Sequence, residues 1–202
     1  MADESYTLLV VDGAARETAK GEAEQRLGTR GGVGFSPQQL RERHGECPGS
    51  RLLELKPLCS DPSAEDACVL VLKLPEDISS GAFSEMRESV HYSQFAHRYG
   101  RKVRSLSRNV GFLGEESSPE DPDSNAPATT AWATLPSCAR VREFLHATLK
   151  DAEAAHAVAI KYRDVRSCGI RWHGDAERSK TLICRFGPNS NRHPLFLMWY
   201  IA

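Results

Sequence analysis

The sequence predicts an α+β fold, and three observations carry that expectation. Short, β-branched apolar runs such as YTLLVV at 6–11 and CVLVLKL at 68–74 read as strands. Two stretches, 79–90 and 137–149, repeat apolar residues at helical spacing. From Ala157 onward AVAIKY, CGIRWH, KTLICRF and LFLMWYIA are strand-like runs broken by Gly, Pro and Asn, the pattern of a sandwich or barrel.

The elements follow in order. The first strand, Tyr6 to Val11, closes on a turn at Asp12-Gly13, and 14–27 have a weak helical rhythm. The stretch from Gly28 to Pro48 is rich in Gly and charge and reads as loop. Its Gly31-Gly32-Val33-Gly34 lacks both the dinucleotide pattern and the Lys-Ser/Thr of a P-loop. The second strand candidate, Cys68 to Leu74, is stopped by Pro75. Phe83, Met86 and Val90 then form a helical stripe that faces a core rather than a partner. After Leu135-Pro136, Ser137 is the expected N-cap of a helix whose stripe is Val141, Phe144, Leu145, Thr148 and Leu149. His146 and His156 lie on or near it and are expected to be structural or exposed.

Composition narrows the function classes. The 202 residues are enough for one domain with a real core, and 40% hydrophobic with 26% charged content is ordinary for a globular protein. A formal net charge of −1 supplies no global field toward nucleic acid or membrane, so any such attraction must be local. A local source exists: Arg98, Arg101, Lys102, Arg104 and Arg108 fall in a stretch without an acid. That run reads either as a solvated face or as a phosphate-contacting surface, since counterion release rewards a cluster whatever the net charge. Glu115 to Asn125 is acidic and Pro/Ser-rich, and reads as an exposed, mobile loop. The six cysteines include no CxxC pair, the start is acidic, and no run nears the roughly 18 apolar residues of a membrane span. The expectation is an intracellular protein of cytoplasm or nucleus with reduced thiols and no membrane partner.

The chemistry-bearing segment runs from Tyr162 to Arg178 and contains Trp172-His173-Gly174-Asp175-Ala176-Glu177. On an extended strand His173 and Asp175 point to the same side, with Gly174 between them. An imidazole and a carboxylate side by side supply two of the three ligands of a facial triad for non-haem iron. The bare His-x-Asp is a weak signal, and its flanks strengthen it. Tyr162, eleven residues before His173, together with CGIRWHGDAERSK resembles the AlkB-like branch of the iron(II)/2-oxoglutarate oxygenases, especially small members from algae and large DNA viruses. Arg108-Asn109-Val110-Gly111-Phe112 resembles the substrate-side segment of the same group.

That resemblance implies a double-stranded β-helix, a jelly-roll variant, with N-terminal strands and helices packed against it. It implies Fe(II) as cofactor and 2-oxoglutarate as cosubstrate. His173 and Asp175 would be metal ligands, with His193 the candidate third. Tyr162 would lie at the cosubstrate, and Arg108, Asn109 and Trp172 on the substrate side. The implied reaction is oxidative hydroxylation or demethylation, with nucleic-acid bases as a candidate substrate reached through the 98–108 basic run. Residues 1–80 would form an α/β extension, 81–202 the oxygenase domain, and 114–127 a mobile acidic loop.

Three features depart from the family pattern. Ile160 stands where an Asn usually contacts the cosubstrate. His193 is the sole histidine after Asp175 and falls in an Asn-Arg-His-Pro turn. The chain also stops in LFLMWYIA, an apolar strand that needs a neighbour, so the jelly roll is expected to be interrupted partway and the strand to promote self-association. The competing readings are a catalytically inactive, oxygenase-derived binding module, and an unrelated domain in which His173 is a satisfied strand histidine. Hydrolase readings lack a nucleophile in a recognisable turn motif.

Overall fold

The computed structural model describes residues 5–11, 35–55, 67–93, 95–98, 101–104, 108–121, 128–150, 156–162 and 181–187. They form an α+β arrangement of one five-stranded sheet, two two-stranded ribbons and three α-helices. In chain order these are β1 (Ser5–Val11), α1 (Pro37–Glu46), β2 (Arg51–Leu55), β3 (Ala67–Val71), α2 (Glu76–Glu88), β4 (Phe95–Arg98) and β5 (Arg101–Arg104). There follow β6 (Arg108–Gly114), β7 (Thr129–Ala131), a 3-10 turn at Trp132–Thr134, α3 (Pro136–Leu149), β8 (His156–Tyr162) and β9 (Thr181–Phe186).

The main sheet has the order β7-β6-β8-β1-β9. Pairing is antiparallel except between β6 and β7. The N-terminal strand thus lies inside the sheet, pairing β8 on one edge and β9 on the other. Its composition fits that place: a strand flanked on both edges reads as a near-continuous apolar run.

Residues paired across an antiparallel ladder share a face of the sheet. One face carries Tyr6, Leu8, Ala157, Ala159, Leu113, Cys184 and Phe186, all buried, and packs against α2 and α3. From the helices come Ile78, Ala82 and Met86 of α2 and Cys138, Val141, Leu145 and Leu149 of α3. Most of the two sequence-derived stripes therefore does face a core. Tyr6 meets Phe83 edge-on, with ring centroids 5.7 Å apart. The opposite face carries a smaller apolar cluster, Val158 and Ile160 with Val110, Phe112 and Tyr162.

Two close approaches fix glycines. A Cβ on Gly81 would stand 2.9 Å from the Ser137 Cβ, where α2 crosses α3. Gly187, which ends β9 at φ +99, has Phe83 Cε2 2.8 Å from the position of its missing Cβ.

Two expectations are corrected. The loop expected over 28–48 contains α1. Ser36 and Gln39 form a capping box there, with Ser36 Oγ accepting from the Gln39 N–H at 3.1 Å and Gln39 Oε1 accepting from the Ser36 N–H at 2.8 Å. No residue of α1 is buried, so it leaves no apolar stripe to read. Ser137, for its part, is not the N-cap of α3. Leu135 is, and Glu85 of α2 does the capping, accepting from the Ser137 and Cys138 N–H groups at 2.8 Å each.

The basic run adopts a definite backbone. β4 and β5 pair antiparallel, with Arg98 in register with Arg101, His97 with Lys102 and Phe95 with Arg104. The described part of the acidic stretch is anchored. The Ser118 N–H donates to the Thr129 carbonyl at 3.0 Å, and Glu115 pairs Arg142 at 2.5 Å. Among the described residues no helix is long and apolar enough to cross a membrane.

Candidate functional site

The pairing of β6 with β8 decides which of the sequence-derived site residues meet. Arg108 is the register partner of Tyr162, and Asn109 that of Lys161. Side chains alternate across a strand, so Arg108 and Tyr162 share the face opposite the helices, whereas Asn109 lies on the helix-covered face. Lys161 lies with Asn109 on that covered face, its Nζ 5.6 Å from the centre of the Tyr6 ring. The structure therefore unites Arg108 with Tyr162 and separates both from Asn109.

Trp172, His173, Asp175 and His193 lie outside the described residues. In sequence Trp172, His173 and Asp175 occupy the connection from Tyr162, the end of β8, to Thr181, the start of β9. Both strands run antiparallel to β1, so β8 ends beside Ser5 and β9 begins beside Val11. Among the described residues no three His, Cys, Asp or Glu side chains come together as a metal site.

The face bearing Arg108 and Tyr162 has a distinct chemistry. Its described side chains are Arg108, Val110, Phe112, His156, Val158, Ile160, Tyr162, Thr7, Thr181, Ile183 and Arg185, by register and alternation. None is acidic. Thr7 is buried at the centre, and Arg108, Tyr162 and Arg185 are half-buried around it. Neither arginine has a carboxylate partner among the described residues, whereas Arg41, Arg43, Arg87, Arg140 and Arg142 all do. Burial draws the Arg185 guanidinium below its ordinary pKa, and the charge of Tyr162 works in the opposite direction. An arginine remains cationic through such a shift. On this face two cations and a phenol therefore stand over the apolar side chains Val110, Phe112, Val158 and Ile160. Sequence reasoning missed Arg185. In TLICRF the alternation of Cys184 and Phe186 already places it on the opposite face, but Thr7 and Tyr162 become its neighbours only through strands from distant parts of the chain.

Cysteine chemistry is disfavoured at both buried thiols. Burial pushes Cys184 up to about 12. Burial, and then the Glu85 carboxylate, push Cys138 higher still. Neither supplies a thiolate near neutral pH. Cys47, Cys138 and Cys184 carry free thiols, and the Cys68 thiol approaches the Pro37 carbonyl at 3.8 Å. Of the two histidines set aside, His146 is exposed on α3 and His156 is half-buried on β8.

Compared with known proteins, the chain finds no counterpart: no family model, no curated protein and no solved structure matches it.

Proposed function

We propose that this protein is an iron(II)- and 2-oxoglutarate-dependent oxygenase in which His173 and Asp175 hold the metal. The observation that carries the reading is the meeting of Tyr162 and Arg108 on one sheet face that has no acid among the described residues, joined by Arg185. Tyr162 and Arg108 come from separate parts of the sequence and were singled out by the same family resemblance, and one strand pairing brings them together.

The arrangement of layers agrees. Among the described residues two helices cover one face of the five-stranded sheet, and the chemistry is assigned to the opposite face, an arrangement that supports a reading of this sheet as one wall of a jelly roll. Tyr162 and the arginines would orient the cosubstrate through charge-assisted and phenolic hydrogen bonds. Val158, Ile160, Val110 and Phe112 would exclude water around it. When bound, iron with 2-oxoglutarate supplies oxidative decarboxylation and hydroxylation of a substrate carbon–hydrogen bond. The basic ribbon β4–β5 is separated from Arg108, the first residue of β6, by three residues of sequence, which supports a polyanionic substrate such as nucleic acid.

The test is uncoupled turnover. In air with iron(II), ascorbate and 2-oxoglutarate the wild type should form succinate. His173→Ala and Asp175→Ala should each fall to the protein-free rate. Succinate formation that survives both substitutions would remove the assignment of the metal ligands.

A further inference from the structure

We draw no further inference here: the strongest candidate, the apolar surface patch that Leu53, Leu55, Val69 and Val71 form on the face of the β2–β3 ribbon turned away from α1, carries nothing because nothing among the described residues shows what covers it.

Discussion

Replacing Glu85 should loosen the joint between α2 and α3, and the size of the effect follows from counting donors at the start of α3. The Leu135 N–H is bonded to the Trp132 carbonyl at 2.9 Å, and Pro136 has no N–H. The Ala139 N–H makes the first intrahelical bond, to Leu135 at 2.9 Å. That leaves the Ser137 and Cys138 N–H groups, and both donate to the Glu85 carboxylate at 2.8 Å. In Glu85→Ala both lose their partner. Water can reach Ser137, which is half-buried, but not Cys138, which is fully buried. A buried donor left unsatisfied costs ~1–3 kcal/mol, and loss of a helix N-cap typically costs ~1 kcal/mol. We therefore expect a loss of roughly 2–3 kcal/mol for Glu85→Ala. Glu85→Gln keeps one acceptor and turns an amide toward the other donor, so it should lose about half as much. Urea unfolding followed by circular dichroism reads this as a midpoint shift of about 1–1.5 M at unchanged slope for Glu85→Ala. A shift below roughly 0.2 M would refute the account of Glu85 as the cap of α3.

Four further outcomes follow. Leu8→Ala removes a fully buried side chain from the strand between β8 and β9 and should cost ~2–5 kcal/mol in urea unfolding. Leu53→Ala, at a side chain 39% exposed, should stay within about 0.5 kcal/mol of wild type. Alkylation at pH 8 followed by peptide mapping should modify half-buried Cys47 well before Cys184. A thiol pushed up to about 12 has roughly a thousandfold less thiolate there than an ordinary cysteine, so comparable rates would contradict the burial of Cys184. The Glu46 carboxyl is held below its ordinary value first by hydrogen bonding to Arg43 within α1 and then to Lys150, the latter tying α1 to the end of α3. A carboxyl whose folded pKa is lowered stabilises above its unfolded value of 4.5 and loses that contribution as pH falls through the folded value. Unfolding midpoints measured from pH 6 down to 3 should therefore fall less steeply in Glu46→Gln than in the wild type; identical slopes would argue against the tie.

What was legible in the sequence is what had to be apolar. β1, β8 and β9 announced themselves through apolar residues buried in the sheet, such as Leu8, Val158, Cys184 and Phe186, and α3 because Val141, Leu145 and Leu149 recur at helical spacing. α1 gave no such signal, being stabilised by its capping box and by exposed pairs such as Arg41–Glu54 at 3.1 Å. The strand β2, RLLEL, passed unnoticed because it is short and only part-buried, and the basic ribbon because its charges mask its strand character. The cap of α3 could not be read locally, since Glu85 stands 52 residues before Ser137. The candidate site divides in the same way. Tyr162 and Arg108 were legible as motif residues, but their common face, the separation of Asn109 and the addition of Arg185 required the strand order β6-β8-β1-β9.

The central claim is that His173 and Asp175 bind iron beside a 2-oxoglutarate site. The most direct measurement is the visible spectrum of the protein mixed anaerobically with iron(II) and 2-oxoglutarate, with His173→Ala in parallel. The account predicts a broad, weak charge-transfer band, absent from either component alone and from the variant. Folded wild-type protein that gives no band, or a band that persists unchanged in His173→Ala, would contradict it.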